Sequence, residues 1–247
     1  MAPKSQPGVL ADLWDSRDRF APDRFSDLPP AARRYLEHAI APGTVLASSV
    51  KLQMHGEIKL NRWHRFTAEQ VMHRSHEFIW RAATHFSGIP VRGFNRLIGG
   101  KAATRWKLFG FLPVIASSGP MTSRSAAGRA VAESVWFPST LCSKNVRWTA
   151  LSERRVHAHL AAQGEWAELA LRIGDNGELK RLSLLRWSSE GPGEYHYLPF
   201  GGIVEEEDTF RGYTIPTRMR FGYYPGTDRF ETEGEFIRIT IDQATFL

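Results

Sequence analysis

The chain has 247 residues, 42% hydrophobic and 23% charged, a composition typical of a globular protein with a sizeable buried core. Its net charge of +6 comes from basic residues, mostly Arg, that are scattered along the chain close to acidic residues. A nucleic-acid-binding module would show a basic stripe within a recognisable motif, so no nucleic-acid partner is predicted. The single cysteine, Cys142, excludes an internal disulfide and a multi-cysteine zinc site.

No apolar run reaches the roughly 18 residues that a membrane-spanning helix needs, and the first residues lack the apolar core of a signal peptide. We therefore expect a cytoplasmic protein with no integral membrane segment. Residues 1–28 are rich in Pro, Asp and Arg, which predicts an N-terminal arm with one short amphipathic turn around Leu10, Leu13 and Trp14. Residues 29–247 are predicted to form a single domain.

Three segments have the features of helices. Apolar residues at helical spacing follow Pro30, and Pro42 ends that run. Residues 124–137, RSAAGRAVAESVWF, combine small residues with helical periodicity, which predicts a central helix. A short helix is also expected at Thr67–Val71, because Thr67 is a suitable N-cap and Glu69 lies in the first turn.

Most of the remaining chain alternates between apolar and polar residues and is interrupted by glycine-rich turns, a pattern typical of strands. About a dozen strands joined by tight turns form an antiparallel sheet, and a sheet this wide must curl, close or split. We therefore predict an α+β fold in which one large, strongly curved antiparallel sheet, an open or half barrel, wraps around the central helix. After the first two strands, the predicted ones are 78–86, 91–98, 102–108, 111–116, 146–151, 156–162, 166–173, 179–187, 197–207, 213–223 and 230–241.

Several stretches resemble a bacterial family known only by a domain-of-unknown-function label (DUF6544/DUF6920-like). They are ARRYLEHAIAPG, KLQMHGEIKL, FTAEQ, FIWRA, GRAVAESVWFPSTL with the following VRW, and RGYTIP. The resemblance implies no activity. The predicted architecture also looks like the half-barrels of lipoprotein carriers, which hold acyl chains, but this is a likeness of shape and does not fix function. Those carriers are exported, whereas this sequence predicts a cytoplasmic protein.

The central helix carries the best candidate polar site. Arg129 and Glu133 are four residues apart and lie together at the edge of a face that includes Trp136. At the lip of a cavity this pair could bind a carboxylate, or Glu133 could act as a general acid or base with Arg129 beside it. The alternative is a structural ion pair with no further role. The motif of the family that the chain resembles includes this same Glu.

Aromatic residues are spread over nearly every predicted strand and either pack as a core or line a cavity for an apolar ligand. The candidate wall residues are Trp80, Trp106, Trp136 and Tyr213. Glu69 and Gln70 are candidate polar lining residues, with the alternative that the first-turn acid only complements the dipole of its short helix.

Neither a metal site nor a cofactor site is predicted. His73 and His76, and likewise His157 and His159, are spaced so that each pair could chelate, but no further ligand stands at a recognisable spacing. Nucleophile elbows, Walker loops and dinucleotide fingerprints are absent from the sequence. Cys142 is interpreted as a small packed thiol.

The favoured function is a cytosolic binding protein for a hydrophobic or amphipathic, lipid-like small molecule, with Arg129 and Glu133 as its polar anchors. The alternative is an enzyme on the same scaffold that performs isomerisation or cyclisation, with Glu133 as the proton carrier. A protein-interaction module is a third possibility, supported only by the Arg-rich arm. The sequence leaves the oligomeric state open.

Overall fold

The computed structural model describes residues 18–189 and 194–247. Within these ranges, thirteen antiparallel strands form one sheet, and two α-helices, α1 (Pro30–Ala39) and α2 (Pro120–Ala132), pack against it. The strands are β1 Ser49–Lys59, β2 Trp63–His73, β3 Phe78–Phe86, β4 Ile89–Ile98, β5 Lys101–Leu108, β6 Leu112–Ser118, β7 Arg147–Ser152, β8 Arg155–Ala162, β9 Glu165–Ile173, β10 Leu179–Ser189, β11 Tyr195–Phe210, β12 Tyr213–Tyr223 and β13 Glu235–Phe246. Short 3-10 helices span Pro22–Phe25, Glu133–Trp136 and Pro138–Cys142, and Phe230–Gly234 forms a π-helical turn.

The sheet consists of two meanders that meet at its centre. Its strand order is β6-β5-β4-β3-β2-β1-β13-β12-β11-β10-β9-β8-β7, so the first and last strands of the chain are neighbours. Their ladder runs from Val50 opposite Phe246 to Ile58 opposite Ile237. The two outer strands, β6 and β7, lie at opposite edges, and the curved sheet stays open. The predicted α+β fold with one curved antiparallel sheet around a central helix is confirmed.

Helix α2 lies in the hollow of the sheet and contacts strands of both meanders, β4–β6 on one side and β8–β10 on the other. Its buried residues Ala127, Ala130 and Val131 are small, which lets the helix approach the sheet closely. In the 3-10 helix that follows, the indole Nε1 of Trp136 donates a hydrogen bond to the carbonyl oxygen of Pro216 in β12 at 3.0 Å. This bond fixes the end of the helical segment to the sheet.

The predicted bounds of several elements are wrong, most clearly those of the central helix and of the last strand. The central helix begins at Pro120 rather than at residue 124, because Gly119, at φ 103°, turns the chain and proline suits a first helical turn. It tightens into 3-10 geometry after Ala132. The last strand begins at Glu235 rather than at residue 230, since the π-helical turn comes first.

The predicted short helix at Thr67–Val71 is also wrong, because these residues belong to β2. Phe66, Gln70 and Met72 are buried at even positions of this strand, and their alternation with more exposed residues outweighs the local capping signal of Thr67.

The structure describes the predicted N-terminal arm only from Asp18 onwards, so the turn around Leu10, Leu13 and Trp14 lies outside the described residues. In the described part, Phe20 and Phe25 are buried with ring centroids 5.3 Å apart, and both belong to the main core. No described helix is long and apolar enough to cross a membrane.

Tyr213, at the start of β12, joins three parts of the chain. Its hydroxyl donates to the carbonyl oxygen of Val45 at 2.6 Å, accepts from the amide of Ala47 at 2.8 Å, and lies 2.7 Å from the hydroxyl of Ser139. Its ring stacks on Phe246 with centroids 3.9 Å apart. Burial raises the pKa of this phenol.

Replacing Tyr213 with Phe removes the hydroxyl and leaves buried partners without their hydrogen bonds. We expect Tyr213→Phe to lower the free energy of unfolding by about 1–3 kcal/mol, measured by urea denaturation. Tyr195→Phe is the matched control, because Tyr195 is exposed and the substitution keeps its ring. Equal stabilities for the two variants would contradict a structural role for the Tyr213 hydroxyl.

Stability should also depend on pH through His38, whose Nε2 lies 2.7 Å from Oε1 of Glu207 and ties α1 to β11. The hydrogen bond to Glu207 raises the pKa of His38 above its ordinary value of about 6.5. Its stabilising contribution is therefore complete below that value and is lost as the pH rises through the higher folded-state pKa. We expect the stability difference between wild type and His38→Gln to shrink from about pH 6 to pH 9 in urea titrations; a constant difference would contradict this link.

Candidate functional site

A cavity of about 530 Å³ lies between α2 and the concave face of the sheet. Most of its wall is apolar and comes from β1, β3–β6 and β11–β13. Large wall residues include Trp80, Trp106, Phe200, Phe221 and Ile239. The helical segment contributes Arg129, Glu133 and Trp136, so one side of the cavity is partly charged.

The indoles of Trp80 and Trp106 form one corner of the cavity, with ring centroids 5.7 Å apart. Trp106 lies directly over Gly93 of the neighbouring strand. A Cβ atom at Gly93 would stand only 2.3 Å from Cδ2 of Trp106, so glycine is what allows the indole to lie flat against β4. Close backbone approach of this kind is a common reason for glycine within a strand.

Glu133 is the centre of a buried polar network. Only 5% of the residue is exposed. Its Oε1 accepts a hydrogen bond from Nε of Arg129 at 2.6 Å, and its Oε2 accepts one from Nε2 of Gln70 at 2.6 Å. Each carboxylate oxygen is therefore held by a donor of the protein, and the network joins the helical segment to β2.

Arg129 has further partners on the cavity wall. Its guanidinium carbon lies 4.9 Å from the ring centroid of Phe78 and 5.2 Å from that of Trp80, within the range of cation–π contacts. With its side-chain amide turned to suit its neighbours, Asn95 accepts a hydrogen bond from Nη1 of Arg129 at 3.2 Å. Both members of the predicted Arg129–Glu133 pair therefore have further contacts within the protein.

A second arginine, Arg186 of β10, also lines the cavity and was not predicted as a site residue. Its Nε donates to the carbonyl oxygen of Ser125 at 3.0 Å, and its Nη2 donates to the hydroxyl of Ser125 at 3.2 Å. Its guanidinium lies over Phe200 at 4.7 Å. Burial lowers the pKa of Arg186. The sequence does contain a signal for Arg186. Leu182 and Leu184 are apolar at alternate positions of the strand, so Arg186, at the next such position, is expected to face inwards as they do.

Space for the stem of Arg186 comes from a glycine of the central helix. A Cβ atom at Gly128 would lie 3.0 Å from Cγ of Arg186, so the arginine side chain crosses α2 at its narrowest point. The small residues that allow α2 to pack closely therefore also leave room for the side chain of Arg186.

The structure brings five of the predicted site residues to the cavity: Trp80, Trp106, Trp136, Arg129 and Glu133. Two others lie elsewhere. Glu69 is on the convex face, where its carboxylate lies 2.7 Å from Nζ of Lys51, and Tyr213 is buried in the core. The residue after Glu69, Gln70, points inwards instead, because successive strand residues face opposite sides of the sheet.

One group of the described residues has metal-ligand chemistry, and it lies on the convex face away from the cavity. Nδ1 of His157 lies 2.7 Å from Oε1 of Glu168, and Nδ1 of His159 lies 3.4 Å from Oε2. Glu168 is opposite His159 on the neighbouring strand, a relation that sequence spacing does not reveal. The same contacts are also found in ordinary cross-strand clusters that bind no metal. The predicted absence of a metal site therefore stays a prediction. Burial raises the pKa of the Cys142 thiol, which suits a packed side chain.

The buried pair should be sensitive to removal of its cation. Arg129→Met leaves the Glu133 carboxylate buried without a counter-charge, and we expect a loss of about 3–5 kcal/mol in the free energy of unfolding. Adding Glu133→Gln to this variant should restore part of the loss, because it removes the uncompensated charge. Arg33→Met, in the exposed Arg33–Glu37 pair of α1 with the same spacing, is the control and should change stability much less. Similar losses for both single variants in urea denaturation would contradict a special dependence of the buried Glu133 carboxylate on Arg129.

Solved structures that are similar to this chain include two proteins. One is a LolA-superfamily protein from Nitrosomonas europaea, with 12% sequence identity and a TM-score of 0.47 over 88% of this chain and 92% of that one. The other is a putative outer membrane lipoprotein-sorting protein domain from Vibrio parahaemolyticus, with 6% identity and a TM-score of 0.43 over 81% and 85% of the two chains. No curated protein matches the sequence.

The model of a protein family of unknown function, DUF6544, matches residues 18–233, which is most of the chain. The matched range contains the central helix, all the motifs that resemble this family, and most of the cavity wall. The predicted family is confirmed: the chain belongs to DUF6544.

Proposed function

We propose that the protein is a cytoplasmic binding protein that holds a hydrophobic or amphipathic small molecule between α2 and the curved sheet. The observation that carries the proposal is the cavity of about 530 Å³ with its mostly apolar wall. Its volume falls within the range of about 300–1,000 Å³ that is usual for small-molecule sites. Protein interiors are otherwise close-packed, so an apolar space of this size in the hollow favours a ligand-binding role.

The wall is braced in a way that preserves this space. Trp136 is fixed to Pro216 by its indole hydrogen bond and meets Phe221 edge to face, with centroids 5.5 Å apart. Trp106 rests on Gly93, and Arg129 is held by Glu133. A cavity with such a wall resists collapse, and an apolar cavity is a favourable site for an apolar molecule.

Part of the cavity wall is open to solvent, which gives a ligand a route of entry. Leu60, Val114 and Ile115 line the cavity and are 59%, 48% and 52% exposed. Exposed apolar residues grouped in this way are typical of ligand-binding grooves. A hydrophobic ligand would therefore meet an apolar rim before it reaches the interior.

The surroundings of Glu133 favour an anchoring role over proton transfer. Arg129 and Gln70 each donate a hydrogen bond to one of its oxygens, so the carboxylate is already committed to holding the helical segment against β2. An acid–base enzyme would need this carboxylate within reach of a substrate proton. Turnover of a cavity ligand that is abolished in Glu133→Gln, with ligand binding retained, would support the enzyme instead.

Filling the cavity should prevent binding. Thr104 lines the cavity, whereas the next residue of β5, Arg105, is exposed. We expect Thr104→Trp to weaken binding of the neutral fluorescent probe Nile red by at least about tenfold, because the added indole occupies the space of the ligand. Arg105→Trp adds the same ring outside the cavity and should bind the probe as wild type does.

Equal probe binding by Thr104→Trp and wild type would place the probe elsewhere and overturn the proposal. Native mass spectrometry of the protein purified from the cells that make it provides an independent check. A retained small molecule that is lost in Thr104→Trp would identify the natural ligand.

A further inference from the structure

The cavity wall carries an excess of positive charge. Three of its side chains belong to the charged residue types: Arg129, Arg186 and Glu133. Two guanidinium groups and one carboxylate leave one positive charge in a mostly apolar space. The two wall histidines, His64 and His85, supply no negative charge in either protonation state.

The excess charge is located on Arg186. Glu133 is engaged by Arg129 at 2.6 Å, and across residues 18–189 and 194–247 Arg186 has no carboxylate oxygen within 4.0 Å. Its only hydrogen-bond acceptors there are the two neutral oxygens of Ser125. Arg186 is half-buried, and charges that are partly removed from solvent are normally paired in proteins. At longer range Glu133 attracts its guanidinium, but Arg129 repels it.

Arg186 also retains hydrogen-bonding capacity. Nε and Nη2 donate to Ser125, but Nη1 has no acceptor in the part of the chain that the structure describes. Ser125 and Phe200 hold the guanidinium plane in place, so the group is positioned before any ligand arrives. An arginine fixed in this way is well suited to a carboxylate or phosphate oxygen.

A second hydrogen-bond donor beside this wall lacks an acceptor among the described residues. Trp80 is 3% exposed, and its indole Nε1 is buried with no acceptor among the described residues. Buried donors without a partner are uncommon in proteins and require an explanation. The Nε1 atom itself is closed off from the cavity, so recognition of a polar ligand group falls to Arg186 rather than to Trp80.

We propose that the natural ligand is an amphiphile with an anionic head, a carboxylate or a phosphate, that pairs with Arg186 while its hydrocarbon part lies against the apolar wall. This inference rests on the proposed function and specifies its ligand class. A cationic head is disfavoured because it would add a second uncompensated charge. A neutral head would leave Arg186 without a counter-charge.

The head group can be tested on wild-type protein with four ligands of equal chain length: decanoate, decyl phosphate, decanol and decylamine. We expect isothermal titration calorimetry at pH 7.5 to show that decanoate or decyl phosphate binds at least about tenfold more tightly than decanol, since a buried hydrogen bond to a charged group is strong. Decylamine should bind more weakly than decanol. The better of the two anions distinguishes a carboxylate head from a phosphate head.

Three variants test whether Arg186 is the residue that selects the anionic head group. Arg186→Gln should lose the preference for the anions over decanol, and Arg186→Lys should keep most of that preference because it keeps the charge. Arg81→Gln removes one positive charge from the exposed face of β3 and should behave as wild type. If Arg186→Gln does not fold, the wild-type comparison and Arg186→Lys still decide the matter.

The outcomes separate this inference from the proposed function. Decanol binding as tightly as both anions, or an anion preference that Arg186→Gln retains, would overturn the head-group assignment and leave the binding function intact. Failure of Nile red and all four decyl compounds to bind would overturn the proposed function itself.

Discussion

The connection between β6 and β7 is the constraint on which the structure depends. Each meander ends at an outer edge of the open sheet, so the chain must cross from one edge to the other, and it does so through the hollow as α2 and two 3-10 helices. An α-helix with its side chains is roughly 10–12 Å across. A single helix of that width, narrowed further by its small residues, does not fill the hollow of a thirteen-stranded sheet, and the remaining volume is the cavity.

The charged groups beside this space fall into two kinds. Arg129 and Gln70 hold both carboxylate oxygens of Glu133 and connect the crossing segment to β2, although Oε1 of Gln70 has no partner among the described residues. Arg186 is positioned by Ser125 and Phe200, and no described carboxylate contacts it directly. A carboxylate held on both oxygens beside an arginine with no described carboxylate partner suggests a division of labour, in which the first holds the wall and the second recognises what enters.

The fold is predictable from the sequence because three signals agree: the alternation within strands, the glycine turns and one helix of small residues. Prediction from the sequence fails where two local signals compete, or where a contact depends on residues far apart in the chain. Thr67 resembles a helix cap, yet the burial of Phe66, Gln70 and Met72 on one face decides for a strand. The helix prediction gives Glu69 and Gln70 one shared role, whereas in the strand they face opposite sides of the sheet. Arg186 could have been found, because an arginine on the inward parity of an apolar strand is unusual. The contact of Glu168 with His157 and His159 depends on strand register, which one sequence does not provide.

The pairing of β1 with β13 has a consequence for how the molecule is made. The central ladder joins β1 to β13, two strands far apart in the sequence, so its formation must await the synthesis of β13. Until then, the finished meander of β1–β6 presents β1 as an unpaired edge, the kind of surface that invites pairing with another chain. A nascent chain would therefore be exposed to aggregation until β13 is made, and removing β13 would divide the sheet at its middle rather than trim its rim.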